Sequence, residues 1–144
     1  MSKCLKAMAV ALALAAGPAA AKDAVSLVTV VTDANPQTQL MSMVLTLQAV
    51  QRKVPTHILL CGPAADIALK DAPESATAPQ PPKAMSPQGA LKAAIGQGVK
   101  AEVCAIYLPG KGLGPEALIE GVGVAEPPAM AKRLLDRRTR VWSF

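Results

Sequence analysis

Three short apolar runs, Ala24 to Thr32, Thr56 to Cys61 and Val99 to Tyr107, are separated by stretches with helical character. The first, Ala24-Val-Ser-Leu-Val-Thr-Val-Val-Thr32, is β-branched and apolar on both faces, the pattern of a strand buried inside a parallel sheet. Asp33-Ala-Asn-Pro36 is turn chemistry that also caps the next element. From Gln37 to Lys53 the residues Leu40, Met41, Val44, Leu47 and Val50 recur at three- and four-residue spacing and predict a helix of about four turns. Met43 and Leu45 fall off that stripe and give the helix a second candidate contact surface. Pro55 stops it. After Thr56–Cys61, Gly62-Pro63 turns the chain into a short helix near Ala64 to Lys70. Residues 71–85 carry Pro73, Pro79, Pro81 and Pro82 without periodicity and predict a surface loop. Ser86-Pro87 offers a capping hydroxyl and a proline at the first helical position, and Gly96 and Gly98 end that helix. Beyond the third strand, 115–119 predicts a brief helix, 122–124 a minimal strand, 127–135 a last helix and 140–144 a closing strand. Strand alternating with helix implies an α/β domain: a mostly parallel sheet of about five strands covered on both faces by helices.

The first 21 residues stand apart. Lys3 and Lys6 precede an apolar stretch from Ala7 to Ala16, then Gly17-Pro18 and Ala19-Ala20-Ala21. This is the layout of a cleaved secretory signal, and the stretch is far short of the roughly twenty residues that span a bilayer. Without an Arg-Arg pair in the basic start, the general, Sec-type route is expected rather than the twin-arginine one, and the mature domain is expected at 22–144, in the periplasm. No membrane span is expected after cleavage, and Cys4 leaves with the signal. Losing Lys3 and Lys6 takes the balance from 15 basic and 10 acidic residues to 13 and 10, a net charge of +3. That is an ordinary surface charge. With one Phe, one Tyr and one Trp there is little on which bases could stack, so nucleic acid is not an expected partner.

Open α/β sheets place their sites at the carboxyl ends of the strands. Cys61 and Cys104, the two cysteines of the mature chain, each fall at such an end. In an oxidising compartment they could bridge, provided their strands are neighbours; a strand between them would put them roughly 10 Å apart, beyond disulfide reach. Strand order is not legible from the sequence, so Cys104 is open to two readings, a reactive thiol or a structural one. Lys111, within Gly110-Lys-Gly112, is a candidate to hold a thiolate or an anion together with the amides of the glycine turn. Gly110-x-Gly112-x-Gly114 lacks the long helix and later acidic residue of a nucleotide fingerprint. His57 is the single histidine and falls early in a strand, a structural position. Met41-Ser-Met43 is soft-ligand chemistry but no compact copper(I) cluster, and no residue set calls for a metal or a cofactor. Arg137-Arg138-x-Arg140 is a solvated helix end.

The segment Gly98-Val-Lys-Ala-Glu-Val-Cys104, with Gly110-Lys-Gly112, Leu118-Ile-Glu-Gly-Val122 and the terminal Arg140-Val-Trp-Ser-Phe144, resembles the DsrE/DsrF-like sulfur-relay family; the first strand and helix fit more loosely. The resemblance implies a three-layer α/β/α domain that assembles into trimers or hexamers. It also implies that Cys104 carries sulfur as a persulfide, accepting it from a donor protein or a small sulfane-sulfur compound and yielding it to an acceptor. Some relatives have a second cysteine three residues on. Here that position is Tyr107, so a local Cys-x-x-Cys pair is excluded. The expectation is therefore an exported sulfur carrier or sulfurtransferase-like accessory protein using Cys104, with Gly110, Lys111 and Gly112 in support and Cys61 as a possible second thiol. Its rival is a non-catalytic oligomeric binding protein with structural cysteines, working through the apolar helix 37–53 and the 71–85 loop.

Overall fold

The computed structural model describes residues 25–144, so the expected signal segment and Cys4 lie outside the described residues. Five strands, β1 (Ser26–Val31), β2 (Thr56–Leu60), β3 (Lys100–Val103), β4 (Val122–Val124) and β5 (Thr139–Ser143), form one sheet in the order β4-β3-β2-β1-β5. Every pairing is parallel. The helices are α1 (Pro36–Gln51), α2 (Glu74–Thr77), α3 (Pro87–Gly96), α4 (Tyr107–Lys111) and α5 (Pro127–Leu135), with 3₁₀ turns at Gly62–Ala68 and Pro115–Ala117. The fold is α/β with helices on both sheet faces, as the alternating sequence pattern requires. One face carries the larger core, in which Val31, Ile58, Leu60 and Val103 of the sheet meet Met43, Ile67 and Leu91. The other face carries a smaller cluster, Val28 and Leu59 beneath Ala125 and Met130.

The caps expected from sequence are present. The Asn35 side chain accepts from the Gln37 and Thr38 amides at the start of α1, and Ser86 Oγ accepts from the Gly89 amide at the start of α3. Pro36 and Pro87 come directly after these caps, where a missing N–H costs nothing.

Three local expectations are corrected. Helix α1 buries Gln39, Ser42, Met43, Thr46 and Ala49, rather than its regular apolar stripe. The buried polar groups are all bonded: Ser42 Oγ to the Gln39 carbonyl, Thr46 Oγ1 to the Ser42 carbonyl and to Thr29 Oγ1 of β1, and Gln39 Nε2 to the Asp33 carbonyl. Hydroxyls satisfied in this way can face a sheet at little cost. Leu40, Leu47 and Val50 pack at the margin of the core, while Met41 and Leu45 are exposed. The third strand ends at Val103, not at Tyr107. The Cys104 amide bonds the Leu60 carbonyl as the last rung, and the Cys104 carbonyl then accepts from the Tyr107 amide as the chain turns into α4. Finally, the 71–85 segment has structure of its own. It contains α2, with Ala76 buried, and a bridge between Gln80 and Met85.

Candidate functional site

Because Leu60 pairs with Val103 in the β2–β3 register, the next residues, Cys61 and Cys104, face each other just past the ends of neighbouring strands. Their Cα atoms are 5.1 Å apart and the two sulfurs are joined as a disulfide. That separation lies within the range a disulfide bridges. Strand order thus decides whether the two cysteines can bridge: β3 lies beside β2, with nothing between them. The bond spans a sequence separation of 43 residues. A closed loop of that size restricts the unfolded chain by about 4 kcal/mol in the chain-entropy model.

The two cysteines differ in surroundings. Both pack against the small cluster of Val28, Leu59, Ala125 and Met130 on the α5 side of the sheet. Cys104 additionally lines a shallow groove of about 320 Å³ between β3 and α5, with Leu59, Ile106, Ala125, Met130 and Leu134. Cys61 is not among the residues that line it. The groove wall is apolar throughout, and Ile106 at its rim is 83% exposed. A reactant approaching from solvent along this groove meets Cys104.

The glycine segment has a different part from the one its composition suggests. Gly110 lies inside α4 and its amide bonds the Ile106 carbonyl. Gly112 ends that helix in the left-handed conformation, at φ 66°, with its amide on the Pro109 carbonyl. Both amides are therefore engaged in the turn rather than turned toward an anion. Lys111 Nζ lies 2.6 Å from Asp66 Oδ1 and 5.4 Å from the centre of the Tyr107 ring. Tyr107 is buried, and its hydroxyl donates to the same Asp66 oxygen at 2.5 Å. Burial and the Asp66 carboxylate push the Tyr107 phenol well above its ordinary pKa, so it stays a donor. Tyr107, Asp66 and Lys111 thus pin α4 to the 3₁₀ turn after Cys61, and fix how the chain leaves the two cysteines. No sequence signal marks Asp66; its pairing becomes visible only when strand order brings the segments after β2 and β3 together.

A second polar group lies on the α5 side of the same two strands. His57 Nε2 and Glu102 Oε2 are 2.7 Å apart, and Glu102 Oε1 lies 2.7 Å from Lys100 Nζ. His57 is 3% exposed and Glu102 8%. Burial lowers the His57 pKa and outweighs the attraction of Glu102, with the Arg133 and Lys100 charges acting in the same direction as burial. Burial alone would raise the Glu102 pKa, but the Lys100 hydrogen bond and the His57 and Lys100 charges overcome this and hold it below the ordinary value. Glu102 and Cys104 are two positions apart along the chain as it leaves β3, so their side chains share a face at a spacing of roughly 7 Å. His57 therefore has the structural place its position predicted, with an acidic partner that sequence alone did not supply.

On the opposite side of the molecule, α1 and the Pro-rich segment frame a larger groove of about 600 Å³, lined by Leu40, Met41, Val44, Leu47 and Met85, with Pro81 and Pro82. Met43, by contrast, is fully buried, so Met41 and Met43 do not converge on one point.

No family model matches the sequence, and no curated protein matches it. Among solved structures, the YchN protein from E. coli superimposes with a TM-score of 0.66 at 19% identity, covering 83% of this chain and 98% of YchN. A protein of unknown function, MTH1491 from Methanobacterium thermoautotrophicum, superimposes with a TM-score of 0.60 at 15% identity, covering 83% of this chain and 99% of its own. Both have the DsrE/DsrF-like fold. This chain has it too. At these identities the likeness is one of fold. It agrees with the resemblance in the last third of the sequence, and within this fold Cys104 stands at the carboxyl edge of the sheet, where open α/β folds put their chemistry.

Proposed function

We propose that this protein is an exported sulfur carrier of the DsrE/DsrF-like type, with Cys104 as the persulfide acceptor. The observation that carries the reading is the position of Cys104: at the end of β3, half-buried, and in the wall of an open apolar groove. In the oxidised form its sulfur is bonded to Cys61, so the carrier works after a dithiol reductant has opened that bond. The Cys104 thiolate then attacks the outer sulfur of a donor persulfide, R–S–SH. The donor S–S bond breaks, R–S⁻ leaves, and Cys104–S–SH remains. An acceptor thiolate takes the sulfur by the same displacement. Sec-type export, a periplasmic location and assembly into trimers or hexamers belong to this proposal. The donor or acceptor is a protein or a small sulfane-sulfur compound that reaches the groove beside Ile106.

A second reading is favoured by two observations: the cysteines are bonded to each other, and α1 turns Met41 and Leu45 outward. Under it the protein is an oligomeric binding protein whose disulfide is only structural. Sulfur uptake separates the two readings. The reduced protein is treated with glutathione persulfide, and transferred sulfur is counted as alkylation-trapped persulfide plus released sulfide. A carrier takes up close to one sulfur per chain, and Cys104→Ser falls to background with its fold intact by circular dichroism. No uptake by the reduced wild type leaves the binding-protein reading.

A further inference from the structure

We propose that Cys61 is a resolving cysteine: it attacks the loaded Cys104 and releases the carried sulfur as hydrosulfide. The inference rests on the carrier reading and adds a second activity to the same site, reductive release of sulfide alongside transfer. Two features of the pair support it. Cys61 and Cys104 are directly opposed on adjacent strand ends, with Cα atoms 5.1 Å apart, and they are bonded to each other within the regular β2–β3 register. They are also unequal, since Cys104 lines the groove and Cys61 does not. A donor arriving through the groove therefore loads Cys104, and Cys61 lies beside it at bonding distance.

In the loaded state Cys104 carries Sγ–SH. The Cys61 thiolate attacks Cys104 Sγ, the inner sulfur of the persulfide. The bond between inner and outer sulfur breaks and the outer sulfur leaves as HS⁻. A new bond joins Cys61 Sγ to Cys104 Sγ. The outer sulfur gains two electrons and the two cysteines together lose two, so the products are one hydrosulfide and one disulfide. The disulfide of the structure is the product state of this step. A dithiol reductant returns it to two thiols, becoming a disulfide itself, and the cycle is complete. The position three residues after Cys104 is filled by Tyr107, which anchors α4 to Asp66. The second thiol of this chain comes instead from the neighbouring strand.

Because the attacking thiol is held in place rather than gathered from solution, resolution outpaces attack by dilute external thiols. The test is a single turnover. The reduced protein, freed of reductant, is mixed with glutathione persulfide, and hydrosulfide, Cys61–Cys104 disulfide and Cys104 persulfide are tracked together by a sulfide electrode and by peptide mass spectrometry. The expected result for wild type is one hydrosulfide per disulfide formed, with little persulfide remaining. In Cys61→Ser the persulfide on Cys104 is trapped and its lifetime lengthens by at least about tenfold. Equal persulfide lifetimes in wild type and Cys61→Ser, with no disulfide formed, overturn the resolving role and leave the carrier reading standing. Absence of sulfur from Cys104 in both proteins overturns both. The ratio of sulfide to disulfide in wild type needs no variant, so the inference is decided even if Cys61→Ser does not fold.

Discussion

Cys104 owes its position to its neighbours more than to its own chemistry. Its amide closes the last rung to Leu60, its carbonyl opens the turn to Tyr107, and Tyr107 is then held by Asp66. Lys111, a candidate thiolate partner by sequence, is committed to the same aspartate. The consequence is testable at a single atom. Tyr107→Phe keeps the buried ring and removes one hydroxyl, so it should cost about 1 kcal/mol of unfolding free energy in urea titration. A loss below about 0.3 kcal/mol would mean that the Asp66 contact does not hold α4. Two other residues set the acid response. His57 and Glu102 both have folded-state pKa values below their unfolded ones. The unfolded chain therefore binds more protons as pH falls, and the stability that these groups contribute at neutral pH is lost in acid. Loss begins below about 6.5, where an unfolded histidine protonates, and continues through the carboxylate range. The melting temperature should fall from pH 7 to pH 5, with a shallower fall in His57→Asn. A flat or rising profile would contradict the assignment.

Among the elements, α1 separates local signals from packing most sharply. Its start was legible because Asn35 and Pro36 are local signals, and the structure uses both. Asn35→Ala should cost about 1 kcal/mol, read as a lower urea midpoint with an unchanged slope; an unchanged midpoint would mean that the cap contributes nothing to stability. Its buried face was not legible. Ser42 and Thr46 look like solvent-side residues until their hydroxyls are seen bonded to backbone and to Thr29, a contact across a sequence separation of 17 residues. Periodicity finds the apolar stripe of a helix, but two helix faces can both be covered, or neither, and only packing decides. The third strand illustrates the opposite error. Ala105, Ile106 and Tyr107 continue an apolar run, yet the chain has already turned at Cys104, and Ile106 is left largely exposed at the rim of the groove. An apolar residue needed beside a site imitates one needed in a strand.

At the scale of the whole molecule, the alternation of strands and helices was enough for an α/β domain, because each parallel connection requires a crossover. The order β4-β3-β2-β1-β5 was not available from local patterns. That order decides the site. It sets β3 beside β2, and so brings together Cys61 and Cys104, Asp66 and Lys111, and His57 and Glu102, each pair distant in sequence. Cys104 could be picked from the sequence as a candidate; the residues it meets are products of topology. The central claim is that Cys104 accepts sulfur only when its bond to Cys61 is open. The most direct measurement compares the same protein in its oxidised and dithiol-reduced states. Each is exposed to glutathione persulfide, and the sulfur transferred to Cys104, held or released, is counted by mass spectrometry and sulfide detection. Uptake near one sulfur per chain is predicted for the reduced state, and background for the oxidised state. Background in both states, or equal uptake in both, would contradict the claim.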